Sequence, residues 1–462
     1  MPYSNNLKVL IVLVGDIAVF YASLTITLII RYGYAATIWG EHYRIFSLLL
    51  ILWLAVFYIS DLYNLRRNAR DIQRLVLSSV IIAFVLSIIF FYIFPTITPK
   101  TNLVIDMMIF TLLFAAWRLA MRKLLSSAGY KNVVVIGLNK KTVKIIRTIT
   151  EHYRNEFRVA AVFTTTRDNT DHTQALGALA NDDDSLHITI IAGVKNLAKF
   201  IRRHRVGLLI VSQDALFNKD ILNGMTHSLS SSLEIMGLPS FYEYTQGKIP
   251  LETINQVWFL ENITKSSDDV YKMLKRLIDL AGGMVGLAFL AVIFIPVALF
   301  IKLDTAGTVI YRQQKIGKDK KPFTVYKLRT MVAHAEAQGA AWTVEHDPRI
   351  TRIGGFLRKT RIDELPQCWN ILRGEMSLVG PRAERPEFHA ALAKQIPFFE
   401  ERYLVKPGLT GWAQLQRNYG SSVADTKEKI EYDLYYLKNK SIALDLSIIL
   451  KTISLVVLGK GK

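Results

Sequence analysis

Four apolar runs crowd the first quarter of the chain, at about 9–30, 45–60, 75–94 and 103–120. Each approaches the roughly 17–25 residues that a helix needs to cross a bilayer, the second being the weakest in length. Such runs predict a membrane α-helical bundle over 1–125. Arg66, Arg67, Arg70 and Arg74 lie between the second and third runs, and Arg118, Arg122 and Lys123 follow the fourth, whereas "IFPTITPKTN" has one Lys. The positive-inside bias therefore places both ends of the bundle in the cytoplasm. Asp16, inside the first run, is expected to face the bundle interior with a polar partner.

With 462 residues and 51% hydrophobic content, the chain is too apolar for an ordinary soluble protein and long enough for two further domains. Its +19 charge fits Lys and Arg held at an anionic membrane surface, with no nucleic-acid partner implied. The single Cys368 excludes an internal disulfide framework and is expected as a small buried apolar residue.

A fifth apolar run, 277–301, is long enough to cross, but crossing would export a strongly basic C-terminal half. Lys272, Lys275 and Arg276 precede it, and Lys302, Arg312, Lys315, Lys318, Lys320 and Lys321 follow. Both flanks ask to stay cytoplasmic. Pro296 interrupts the helical ladder, and Gly282, Gly283 and Gly286 permit close packing. The expectation is a re-entrant helix that turns near Ile295–Pro296.

Between the bundle and this run, "KNVVVIGLNKKTVKIIRTI" reads as a buried strand, a turn at Gly137 and an amphipathic helix, and "VGLLIVS" as another buried strand. This predicts a degenerate Rossmann-like α/β domain over 130–240. Asn139 and Lys140 stand where a dinucleotide fingerprint needs its next glycine, so dinucleotide binding is not expected. The polar 181–185 stretch reads as a solvated loop, and 241–265 as a connector. The last apolar run, 441–458, is expected at the membrane interface, with packing into a domain core as the competing reading.

Chemistry concentrates between Lys327 and Gly411. "YKLRTM" places Lys327 and Arg329 on one side of a strand, "RIGGFLRKTRIDELPQ" brings Arg352, Arg358, Lys359 and Arg361 up to Asp363 and Glu364, and "SLVGPRAERPEF" adds Arg382. So many cations around two adjacent acids point to a bound anion, because guanidinium forks match phosphate. A nucleotide diphosphate is the natural candidate. Asp363 has a structural reading, a helix cap with Pro366 in the first turn. It also has a catalytic one, a carboxylate that attacks phosphorus while cations and Mg2+ neutralise the diphosphate, Glu364 being the nearest oxygen ligand. Adjacent residues on a helix point about 100° apart, which favours distinct jobs for the two acids.

The run from "YRQQKIGKDKKPFTVYKLRTM" through "TRIDELPQCWNILRGEMSLVGPRAERPEF" to "RYLVKPGLTGWAQLQRNYG" and "KIEYDLYYLKNKSIALDLSIILKT" resembles the bacterial sugar transferase family, the polyprenyl-phosphate sugar-1-phosphate transferases. The resemblance covers about 268–462, and the four helices, the degenerate α/β domain and the connector resemble the larger members that start exopolysaccharide or O-antigen synthesis. It implies an α+β catalytic domain over 266–462 with a re-entrant membrane helix, at the bacterial inner membrane with the catalytic domain on its cytoplasmic face. It also implies transfer of sugar-1-phosphate from a UDP-sugar to undecaprenyl phosphate with release of UMP, Asp363 as nucleophile of a covalent phosphosugar intermediate and Glu364 as Mg2+ ligand. Arg358 and Arg382 match arginines that contact phosphate or nucleotide. Ala383 departs from the family pattern, which has a second Pro after "GPR". A homodimer through the extra N-terminal domains is a further expectation, and membrane lipids are expected partners. Two other readings stand beside this one: a non-catalytic scaffold of polysaccharide assembly, and a membrane nucleotide-sugar dehydratase, which would need a second glycine-rich motif that is not found after 265.

Overall fold

The computed structural model describes all residues except 1, 34–35, 61, 64–68, 94–99, 127–129, 154–155, 165–187, 195, 213–214, 216–218, 227–232, 264–268, 334, 336–338, 340–346, 417–421 and 458–462. Arg66, Arg67 and the acidic 181–185 stretch thus lie outside the described residues. The chain divides into two compact units, residues 1–209 with 220–234, and residues 210–219 with 235–462.

The first unit opens with helices α1 (Pro2–Tyr32), α2 (Ala36–Ile59), α3 (Ala69–Ile93) and α4 (Lys100–Ser126). Its interior is aromatic: Phe20, Phe46, Trp53, Phe57, Phe110 and Phe114 are fully buried, while Ile51, Ile81, Ile88 and Leu112 face outward. That inside-out pattern suits a lipid surround, where packing of large side chains must replace the hydrophobic drive of water. By length and composition α1, α2 and α4 can each cross a membrane, and the shorter apolar stretch belongs to α3, at Val76–Tyr92, and not to the second helix. Asp16 is buried as expected, accepting from Trp117 Nε1 at 3.1 Å and Arg118 Nη2 at 2.5 Å.

The α/β sheet runs β1 (Lys131–Ile136), helix α5 (Lys140–His152), β2 (Phe157–Thr164), β3 (Thr189–Ala192), β4 (Val206–Val211) and β5 (Glu234–Gly237), in the order β3-β2-β1-β4-β5. β1 pairs in parallel with β2, and β2 with β3. Gly137 takes φ 92°, as a residue without Cβ can, and turns the chain into α5. There Asn139 Oδ1 accepts from Thr142 N at 2.9 Å and Thr142 Oγ1 from Asn139 N at 2.8 Å. The α5 N-terminus is thus capped by its own residues.

The second unit is built on α6 (Asp269–Asp304), a 36-residue helix that runs unbroken through Pro296, so the turn expected near Ile295–Pro296 is not formed. At 1.5 Å per residue it measures about 54 Å, well beyond the roughly 30 Å hydrocarbon core. Its N-terminal part packs on α8 (Gln367–Arg373) and β8 (Ser377–Val379): Cβ atoms added to Gly282, Gly283 and Gly286 would meet Leu378, Leu372 and Cys368 at 2.5, 2.9 and 2.4 Å. The glycines serve close approach, as expected, and Cys368 is buried against them. The C-terminal part packs Leu290 and Ile301 on Leu328 and Leu357, and Asp304 Oδ2 accepts from Ile353 N at 3.0 Å. Both ends of one apolar helix therefore rest on the same folded body.

Around α6 stand the antiparallel hairpin β6 (Ile310–Ile316) and β7 (Pro322–Leu328), helix α7 (Arg352–Lys359), and β9 (Gly408–Thr410) parallel to β8. The expected connector is no free linker, since Ile249, Leu251, Ile254, Phe259 and Ile263 are buried in one cluster with Val379, Leu392, Phe399 and Ile430. The last helix, Ile442–Val457, follows the competing reading: Ile448 is fully buried in that core, and Asp445 accepts from Lys275 and Tyr436, each at 2.8 Å.

Candidate active site

Four local devices assemble the site. Thr351 caps α7 by accepting from Gly354 N at 3.0 Å. A Cβ at Gly354 would stand 2.1 Å from the Thr330 carbonyl oxygen, so only glycine lets α7 lie against the strand exit. Arg358, one turn on, donates through Nε to Thr330 Oγ1 at 2.9 Å. Arg361 then takes a left-handed φ of 58°, which ends α7 and turns the chain into a 3-10 segment, Ile362–Glu364. A non-glycine residue there is strained, and such strain collects where geometry matters most. Ile362 and Leu365 pack into the cluster on α6, so the two acids between them turn the other way.

Asp363 does not cap a helix. Pro366 is the residue before α8 and not within its first turn, and no side-chain cap bond forms there. Asp363 is 7% exposed and its Oδ1 has no hydrogen-bond partner, a costly state for a buried polar atom. Glu364, 6% exposed, is the opposite: its Oε1 accepts from Lys327 Nζ and Arg382 Nη2, both at 2.9 Å, and its Oε2 faces Arg361 Nη1 at 3.6 Å. Arg382 reaches in from a turn fixed by glycine packing, where Gly380 N donates to Thr410 O and Gly408 N to Pro381 O, each at 2.9 Å. Asn370 ties α8 to β7, donating to Thr324 O at 2.7 Å.

Electrostatics separate the pair. Burial, then the Glu364 charge, push Asp363 up to about 6 against the pull of Lys327, Arg358 and Arg361. Burial also works to raise Glu364, but Lys327, Arg382 and Arg361 overcome it and hold that carboxyl well below its ordinary range. Glu364 is a fixed anion, and Asp363 is the more basic of two adjacent carboxylates. Opposed shifts of this kind mark different roles.

Of the expected residues, the fold brings together Asp363, Glu364, Lys327, Arg358, Arg361 and Arg382. It does not bring in Arg329, whose guanidinium passes over Gly307 to Ala306 O at 2.6 Å and Thr308 Oγ1 at 2.9 Å. Lys315 was missed. It sits half-buried on β6, where burial draws its ammonium down to about 7, Glu384 opposing and Lys327, Arg382 and Arg385 adding. The signal was there in the hairpin register: Tyr311 pairs with Lys327, so Lys315, four residues on, shares the Lys327 face.

Among the described residues no group of three or more His, Cys, Asp or Glu gathers to hold a metal. Mg2+ needs less, since it binds through one or two carboxylates and completes its shell from phosphate and water. Glu364 Oε2, with Arg361 beyond hydrogen-bond distance, supplies such an oxygen. The residues fit the ion.

The profile of the bacterial sugar transferase family matches residues 270–459. A relative from Rhizobium leguminosarum bv. phaseoli, an exopolysaccharide production protein, is 41% identical over 196 residues, which cover 41% of this chain and 98% of the relative. The chain belongs to the bacterial sugar transferase family. The chain is also 40% identical over 192 residues to the UDP-N-acetylgalactosamine-undecaprenyl-phosphate N-acetylgalactosaminephosphotransferase of Aeromonas hydrophila, a match that spans 42% of this chain and less than half of that protein, 45%. The UDP-glucose:undecaprenyl-phosphate glucose-1-phosphate transferase of Escherichia coli is 29% identical over 329 residues, 69% of this chain and 68% of its own. A profile described as a CoA-binding domain matches residues 58–215 of the chain, which begin inside the helical region and take in β1 to β4.

Proposed function

We propose that the protein transfers sugar-1-phosphate from a UDP-sugar to undecaprenyl phosphate through a covalent intermediate on Asp363. The observation that carries this reading is the contrast between a buried carboxylate oxygen without a donor and a neighbouring carboxylate crowded by cations. Asp363 Oδ1 attacks the phosphorus that bears the sugar. An O–P bond forms, the bond to the UMP oxygen breaks, and its electron pair leaves with UMP. An oxygen of the lipid phosphate then attacks the same phosphorus, and the aspartyl carboxylate is regenerated. A raised basicity makes Asp363 a better nucleophile than an ordinary aspartate while leaving it largely ionised at neutral pH. Lys327, Arg358 and Arg382 offset the diphosphate charge that would repel it. Bound Mg2+, held by Glu364, would supply further charge neutralisation on the phosphate oxygens.

The same reading places the catalytic body on the cytoplasmic face of the inner membrane, with both ends of the unbroken α6 held at that face. Support comes from the basic flanks of α6 and from the packing of both its ends on one body. Initiation of exopolysaccharide or O-antigen synthesis is the accompanying role, and the identity of the sugar is left to a panel of UDP-sugars. The test is order of release. Enzyme with UDP-sugar alone should release UMP, exchange labelled UMP back into UDP-sugar and show ping-pong kinetics. Intersecting initial-rate lines without exchange would remove Asp363 as nucleophile and leave direct transfer.

A further inference from the structure

The basic flank of α6 divides into outward and inward side chains. Lys272 is 58% exposed and pairs with the exposed Asp269. Lys275, three residues on, is 19% exposed and turned into the protein. Its three ammonium hydrogens are spent on Val379 O at 2.9 Å, Asp445 Oδ2 at 2.8 Å and Tyr436 Oη at 3.2 Å. Tyr436 Oη also stands 3.3 Å from Val379 O, but it lies closer to Asp445 Oδ1, at 2.8 Å, which takes its single hydrogen. Lys275 is therefore the donor that holds the Val379 carbonyl.

Val379 ends β8, and the chain continues through Gly380 and Pro381 to Arg382, whose guanidinium meets Glu364. Arg276, the next residue on α6, donates to Ile371 O at 2.7 Å and Leu372 O at 2.8 Å, in the last turn of α8. α8 itself begins three residues after Glu364. One turn further along α6, Asp279 Oδ1 accepts from Ser377 Oγ at 2.9 Å and Leu378 N at 2.8 Å, at the start of β8. A short stretch of α6 thus grips both arms of the site, the segment that leads from Asp363 and Glu364 and the segment that leads to Arg382. Exchanging a buried ion pair for apolar packing is often neutral or stabilising, so a methionine at 275 would serve packing as well as lysine does. What it would not supply is a directed bond to one carbonyl.

We propose that Lys275 and Arg276 are positioning residues: holding β8 and α8 from adjacent places on the apolar helix, they set the gap between Arg382 and the Asp363–Glu364 pair. The proposal rests on the reading of Arg382 as a cation that offsets the diphosphate charge.

The test is a double-mutant cycle in the full-length protein in nanodiscs. It is read as kcat/KM for UMP release from UDP-glucose or UDP-N-acetylgalactosamine, whichever turns over, with undecaprenyl phosphate present. Lys275→Met should lower it about 10–100-fold, since a misplacement of about 1 Å can cost that much. In an Arg382→Gln background the same change should cost less than about threefold, because no Arg382 is left to misplace. Lys272→Met, which removes an equal charge from the same flank but only an exposed pair, should stay within about twofold of wild type. Lys275→Arg keeps a donor for Val379 O and should recover part of the loss. A Lys275→Met loss of equal size in both backgrounds overturns the proposal, and so does an equal loss in Lys272→Met, which would assign the effect to flank charge. Amide exchange read by mass spectrometry answers without turnover: peptides carrying 379–385 should exchange faster in Lys275→Met, and unchanged exchange there overturns the anchor. An Arg382→Gln protein with wild-type turnover would overturn the reading on which the proposal rests, and accelerated exchange at 379–385 would mark that failure as one of the reading and not of the anchor. Tyr436→Phe, which removes the hydroxyl between Lys275 and Asp445, repeats the cycle in milder form if Lys275→Met fails to fold.

Discussion

Asp363 and Glu364 are consecutive in the chain and opposite in bonding: three cations stand within 3.6 Å of the Glu364 carboxylate, and Oδ1 of Asp363 meets no donor. Substitution should therefore separate chemistry from stability. Asp363→Asn removes the proposed nucleophile and breaks no Oδ1 hydrogen bond. UMP release should fall by at least about 10³-fold, with the melting temperature at pH 7 unchanged or slightly raised, because a neutral side chain relieves a disfavoured buried charge. A folded Asp363→Asn protein with near-normal turnover would exclude the nucleophile.

The pH dependence follows from the sign of the Asp363 shift. Its folded pKa, about 6, lies above the ordinary 3.8, so the native state favours the protonated form. This group contributes stability below about pH 4 that is lost as pH rises through about 6. Wild type minus Asp363→Asn stability should decline across that window in denaturant titrations. Catalysis runs the other way, with kcat/KM for UDP-sugar rising through about pH 6, and Arg358→Gln should move that limb to higher pH by removing a cation that favours the ionised form.

Glu364→Gln should damage both quantities. Removing one partner from a buried charge cluster leaves Lys327 and Arg382 facing each other, at a cost of about 2–4 kcal/mol in unfolding free energy. Turnover should fall as well, and raising Mg2+ should recover part of it. A variant as stable as wild type would contradict the packing of these three charges.

Truncation tests the connector. Because Ile249, Leu251, Phe259 and Ile263 are core residues of the second unit, a chain starting near 266 should melt far below one starting at Leu238. Circular dichroism melts of the two fragments in nanodiscs compare them directly, and equal stability would mean that the buried cluster contributes little.

Topology is tested by placing cysteines singly at Lys272 and Lys318 in a Cys368→Ala background. Both should be shielded from an impermeant thiol reagent in intact cells. Reaction at 318 alone would show that α6 crosses.

Much of this was legible in the sequence because it depends on local pattern or charge. Apolar length marked α1 to α4, strand and turn composition marked β1 and its Gly137 turn, and the density of Arg and Lys around two acids marked the site. What escaped were outcomes of tertiary packing. The α7 end at Arg361 turns on one left-handed residue that no periodicity announces, so Asp363 resembled a cap. Arg329 shares its motif with Lys327, but the space above Gly307 draws it away. The buried face of 249–263 is too short to show a period, and its role emerges only against Val379 and Phe399. Lys315 could have been found from the alternation of a hairpin whose register was not yet known.

Ile362 and Leu365, which bracket the two acids, are seated on the same cluster as Leu290 and Ile301 of the apolar helix. The Asp363 carboxylate is thereby given a fixed altitude over whatever that helix is immersed in. A bilayer thicker or thinner than the helix prefers would tilt or lift Asp363 together with it. Acyl-chain length then becomes a dial on turnover, acting through two apolar side chains seated on that helix.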